Sequence, residues 1–225
     1  MEEVKILLGL DYSLASQEVI ELLIEDASGP EIFDEIAKAN KNRPEILKLI
    51  LECSDTPEDV RQFVSGFLNL PVKPSLEIAK VEKTKEVHPE TMLLKIQKLT
   101  VAERIHLAMR GGREIRSILV KDSNKEVMYS VLENQKITES EIENIARSRS
   151  VPEEVLRRIT KNREWMKSYA IVYALVTNPK TPPGIAVALV STLKTKALTI
   201  LESNKNIAEA VRSAAKKLLS ARKPH

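Results

Sequence analysis

Apolar residues recur along this chain at steps of three and four, the spacing that lines one face of an α-helix. The longest stripe is Ile207, Ala210, Val211, Ala214, Ala215, Leu218 and Leu219, with Arg212, Ser213, Lys216 and Lys217 opposite it. Trp165, Tyr169, Val172, Tyr173 and Val176 form a second stripe, and Val60, Phe63, Val64, Phe67 and Leu68 a third. Alternation of apolar and polar residues, the mark of a half-buried strand, is missing, and aromatics make up only 4% of the 225 residues. The pattern predicts an all-α chain.

Polar residues mark where these helices begin. Thr100-Val-Ala-Glu103, Thr138-Glu-Ser-Glu141 and Ser150-Val-Pro-Glu153 each pair a hydroxyl with a Glu three residues on, the composition of a capping box. Asn124, Asn162 and Asn204 are further candidate N-caps. Pro30, Pro44, Pro57, Pro152 and Pro182 fall at helix starts, where the missing N–H has no intrahelical partner to lose. Pro30, Pro44 and Pro57 stand 14 and 13 residues apart, room for a helix of about ten residues and a turn. Helices that short are marginal alone in water, so they must stack on neighbours.

A longer self-similarity points the same way. Val127 to Ile145 and Ala170 to Leu189 each read as an apolar helix, an Asn (Asn134, Asn178), a tight turn, a Thr (Thr138, Thr181) and a second apolar helix with Ile142 or Ile185 four residues on. Antiparallel helix pairs repeated at such intervals predict an α-solenoid. The Asn178-Pro-Lys-Thr-Pro182 turn resembles that of variant leucine-rich repeats and, more loosely, of HEAT-like repeats. The stretch from Leu99-Thr-Val-Ala-Glu-Arg-Ile through Asn162-Arg-Glu-Trp165 to Pro182 is similar to a group of uncharacterised bacterial helical-repeat proteins. That resemblance spans about residues 90 to 220 and implies a fold without an activity. Variant leucine-rich repeat proteins can hold an iron–sulfur cluster on several cysteines; the single Cys53 cannot supply that ligand set, so no cofactor is expected.

Charge divides the chain where the stripes do not. Residues 1–72 hold 6 Lys+Arg against 15 Asp+Glu, and residues 90–225 hold 25 against 14. The intervening segment 73–89, rich in Lys and Glu and bounded by Pro74 and Pro89, reads as a polar linker. The expected organisation is an acidic N-terminal helical domain (1–72), a linker (73–89) and a basic helical-repeat domain (90–225). No apolar run approaches the ~18 residues of a membrane helix, and the acidic start Met1-Glu2-Glu3 is unlike a secretory signal. A cytoplasmic protein without a membrane partner is expected.

Candidate chemistry is sparse. Cys53 sits among Ile46, Leu47, Ile50 and Leu51 and reads as a small buried hydrophobe. His88, His106 and His225 show no metal-ligand spacing; His106, within Glu103-Arg-Ile-His-Leu-Ala-Met, reads as a partly buried structural residue. Gly111-Gly112 lacks the strand and the Gly-Lys-Ser/Thr of a phosphate loop and reads as a left-handed helix C-cap. No catalytic or metal-binding set emerges, so an enzyme is not expected, although a site between the two halves is a third possibility. The most unusual feature is the basic run that includes Arg147, Arg149, Arg157, Arg158, Lys161, Arg163 and Lys167 around Trp165. From residue 155 onward there are 14 Lys+Arg against 3 Asp+Glu. Arg157, Arg158, Lys161, Arg163 and Lys167 are therefore the candidate contacts of a protein–protein interaction or scaffold module, for an acidic partner or for self-association. Nucleic-acid binding by the same face is the alternative. The placement of Trp165 on an apolar stripe weighs against it, since readers of nucleic acid expose aromatics.

Overall fold

A computed structural model describes residues 11–26, 29–69 and 89–222, and among these the chain is all α, with fourteen α-helices, one 3-10 turn and no strand. Two compact units divide the chain, Met1–Lys136 and Ile137–His225. The first holds α1 (Gln17–Glu25), α2 (Glu31–Ala39), α3 (Pro44–Glu52), α4 (Glu58–Leu68), α5 (Pro89–Lys98), α6 (Val101–Arg110), α7 (Arg113–Leu119) and α8 (Lys125–Leu132). The second holds α9 (Glu139–Arg147), α10 (Glu153–Lys161), the 3-10 turn Trp165–Lys167, α11 (Tyr169–Thr177), α12 (Pro183–Val190), α13 (Thr195–Ser203) and α14 (Glu209–Arg222).

The division between units differs from the one that charge suggests. Helix α1 packs on α2 and α3 and also on α6, and Lys95 of α5 reaches Glu25 of α1 at 2.7 Å. Apolar burial across α1 and α6 ties the helices after Pro89 to those before Asn69, whatever sign their surfaces carry. Segment 73–89 lies, Pro89 apart, outside the described residues.

Local signals explain most of the helix starts. Thr100 and Thr138 form complete capping boxes: each hydroxyl accepts from the N3 amide at 3.3 Å, and Glu103 or Glu141 reaches back to the cap N–H at 2.8 or 3.0 Å. Asn124 caps α8 by accepting from the Glu126 N–H at 2.9 Å. Ser150 does not cap α10. Pro152 takes that position without a side-chain bond, and the Ser150 hydroxyl lies 2.9 Å from that of Ser148. Asn204 ends α13, its N–H donating to Leu201 O at 3.2 Å, and its side chain accepts from the Asn206 N–H at 2.9 Å.

The stripes bury much as periodicity demands, but Ala210, Phe67 and Tyr169 are exposed. Val60 and Val64 are fully inside, as are Ile207, Val211 and Ala215, but Phe67 is 50% exposed. The stripe that begins at Trp165 is broken. Asn162 accepts the N–H groups of Glu164 and Trp165, the chain winds as a 3-10 turn, and α11 begins afresh at Tyr169. Trp165 is consequently only partly buried. One core cluster of the second unit is Val172, Val176, Val190, Leu193, Leu198, Leu201 and their neighbours, which α14 closes over with Val211 and Ala215. Each such Leu contributes about 2 kcal/mol by leaving water, more than any cap supplies.

Helices this short leave many unpaired C-terminal carbonyls, and buried polar side chains satisfy them. Asn134 donates to Ala108 O (2.9 Å) and Gly111 O (3.1 Å) at the end of α6, and accepts from the Lys136 N–H (2.8 Å). Asn178 does the same in the second unit, donating to Ala146 O (2.7 Å) and Ser148 O (3.0 Å) at the end of α9 and accepting from the Lys180 N–H (3.0 Å). Arg61, only 1% exposed, donates to Leu51 O (2.8 Å), Thr56 O (3.1 Å) and Cys53 O beyond α3. Arg222 closes α12 through Leu193 O and Ser191 O. Cys53, expected in the core, is the half-buried C-cap of α3.

Candidate interaction face

Arg157 and Arg158 lie on α10, Lys161 ends it, Arg163 follows in the connecting turn, and Lys167 closes the 3-10 turn that packs on α10. All five side chains are exposed, because the apolar residues of α10 (Val155, Leu156, Ile159) take the opposite face and are fully buried. Arg157 is held by Glu153 at 2.6 Å and Lys167 by Glu164 at 2.7 Å. Lys161 and Arg163 make no ion pair among the described residues. The second unit as a whole carries 16 Lys+Arg against 8 Asp+Glu, the first 19 against 24. Exposed helical pairs of this kind contribute only about 0.3–0.5 kcal/mol, so the face is solvated charge rather than a structural network.

The first unit holds several perturbed groups, and the sequence signals only some of them. His106 is 5% exposed, and neither ring nitrogen has a hydrogen-bond partner among the described residues. Its ring meets Tyr12 edge-on at 5.4 Å. Burial pushes its pKa down to about 4, the Arg110 charge adds to the depression, and Asp11 opposes it. On Tyr12 the Arg110 guanidinium also rests, 5.4 Å from the ring centre, and Arg110 reaches Glu35 at 3.6 Å. Burial carries the Tyr12 phenol up to about 12; Arg110 opposes the rise, while the charge of Glu35 and its hydrogen bond to the phenol support it. The loop before α1 is clamped from its other side, by Asn40 donating to Tyr12 O at 3.2 Å and Arg43 donating to Ala15 O at 2.8 Å. His106 is thus a packing residue whose neutral form the fold requires.

A cleft of about 530 Å³ in the same unit is lined by Glu25, Asp26, Gly112, Arg113, Arg116 and Lys136 among others. Asp26 caps α1 and faces the start of α7. Burial raises its carboxyl to about 6, against the backbone N–H groups of Gly112, Ile115 and Glu114, which lower it. Gly112 stands here for a steric reason: a Cβ would lie 2.6 Å from Asp26 Oδ2. Gly111 is likewise not a left-handed cap. Its φ is −62°, and a Cβ would lie 2.6 Å from the Leu107 carbonyl oxygen. The charges of the cleft are largely engaged within the fold, Glu25 by Lys95 and Arg116 by Gly111 O at 2.9 Å.

No group of His, Cys, Asp and Glu that could hold a metal is found among the described residues, and no described helix is long and apolar enough to cross a membrane. Compared with protein families, curated proteins and solved structures, the chain matches none.

Proposed function

We propose that this chain is a non-enzymatic recognition module, a HEAT-like or variant-leucine-rich-repeat-like α-solenoid of short antiparallel helix pairs that engages an anionic partner through Arg157, Arg158, Lys161, Arg163 and Lys167. One observation carries this reading: these five cations are all exposed on a unit with twice as many basic as acidic residues. The equivalent clamps of Asn134 and Asn178, each tying the turn after one helix to the C-terminal carbonyls of an earlier one, support a structural repeat. An acidic protein surface satisfies the charge, and the acidic first unit of another copy is one such surface. Solenoids recognise partners with continuous helical faces, which need no reacting group.

Calorimetric titration with polyglutamate at low salt tests the charge requirement. Arg157→Glu with Arg158→Glu should abolish most of the heat of binding, with helicity unchanged by circular dichroism. Binding that survives the double reversal would remove this face from the proposal.

A further inference from the structure

Trp165 is the chain's one tryptophan. On a continuous helix it would join the stripe of Val172 and Val176 and be buried. The Asn162 turn prevents this: the 3-10 winding of Trp165–Lys167 changes the period from 3.6 to about 3 and takes the indole off that stripe. The ring is left partly exposed, with no aromatic or cationic partner and no acceptor for its N–H among the described residues. Full burial of so large an apolar ring is favourable, so the part of it left in solvent gains by contact with something else.

Cations flank it in sequence and on the helix that the turn packs against. Arg163 precedes the indole by two residues, Lys167 follows by two, and Lys161 ends the helix on which the turn packs. Tyr169, 39% exposed, extends the group differently. Lys194 Nζ lies 5.1 Å from its ring centre, and Tyr173 stacks on it at 6.4 Å and 15°. Tyr169 is therefore already engaged as a ring, and its role is to hold the Lys194 ammonium beside the same turn. Trp165 is left as the partly exposed ring without such a partner among the described residues.

We infer that this face binds single-stranded nucleic acid, with phosphates on Lys161, Arg163, Lys167 and Lys194 and a base stacked on Trp165; the inference rests on the reading of the face as a site for an anionic partner. An acidic polypeptide would use the cations and leave the indole without a role. A nucleic acid uses both, because every base offers a π-face and stacking on an aromatic is worth about 1–3 kcal/mol per base. A single strand is favoured over a duplex, whose bases are already stacked on one another.

The single tryptophan makes the test direct. The intact protein is titrated at low salt with an oligodeoxythymidylate of about twelve nucleotides, and Trp165 fluorescence is followed. Saturable quenching is expected, with an affinity that falls as salt rises. Lys161→Ala with Arg163→Ala should make the slope of log K against log salt shallower by about 1.4, two phosphate contacts at ~0.7 each. Trp165→Leu, followed by anisotropy of a labelled strand, should weaken binding at least about fivefold, the lower end of the stacking range. Circular dichroism confirms that both variants fold. Binding of polyglutamate as tight as that of the oligonucleotide, with no quenching, would overturn the nucleic-acid inference and leave an acidic protein as the partner. No binding of either polyanion would overturn the recognition reading as well.

Discussion

Replacing His106 by leucine exposes how much of the first unit's acid sensitivity rests on one ring. His106 titrates at about 4 instead of near 6.5, because protonation would place a charge in an apolar enclosure beside Arg110 with no partner on either nitrogen. A group whose folded pKa lies below its unfolded value gives stability that is present above about 6.5 and lost as pH falls toward about 4. At 1.36 kcal/mol per pKa unit the full effect is about 3 kcal/mol, of which roughly 2 kcal/mol is lost between neutral pH and about pH 4.5. Leucine keeps most of the buried volume and removes the titration, so at neutral pH the variant should be as stable as the parent or slightly more so. Urea unfolding, followed by circular dichroism at both pH values, gives the comparison. The parent should lose about 2 kcal/mol more than the variant on acidification. Equal losses in the two proteins would refute the argument, since the ring would then be solvated or paired in the folded state.

Asp26 works with the opposite sign in the same window: its pKa is raised to about 6, so stability present below about 4 is lost as pH rises through 6. Asp26→Asn should accordingly raise the melting temperature at pH 8 by the equivalent of about 1 kcal/mol, discounted for partial exposure, and leave it unchanged near pH 4; an unchanged melting temperature at pH 8 would contradict the burial argument. Asn178→Asp retains the shape but not the N–H donors that reach Ala146 O and Ser148 O, and should cost about 2–3 kcal/mol at neutral pH by denaturant unfolding. A cost near zero there would mean the carbonyls are satisfied otherwise. Gly111→Ala meets the Leu107 carbonyl and the Ile115 side chain and should cost about 1–3 kcal/mol, with the same assay deciding.

The periodicity by itself determined that the chain is helical, roughly where Thr100, Thr138 and Asn124 start helices, and, in large part, which faces of α4 and α14 go inside. These are local properties, set by residues three or four apart and by a hydroxyl or amide next to its own backbone. Arg157, Arg158, Lys161, Arg163 and Lys167 were legible as a basic run from charge alone, and the structure finds all five exposed. Only the tertiary structure decided that helices after Pro89 share a core with those before Asn69, because packing of α1 on α6 depends on shape across the chain and not on the sign of distant charges. It also decided that Arg61 is buried as a carbonyl clamp, that Gly111 and Gly112 are small to admit Leu107 O and Asp26, and that Asn162 breaks the stripe and leaves Trp165 partly exposed. Each of these depends on where another segment's backbone lies, which a pattern of neighbouring residues does not encode.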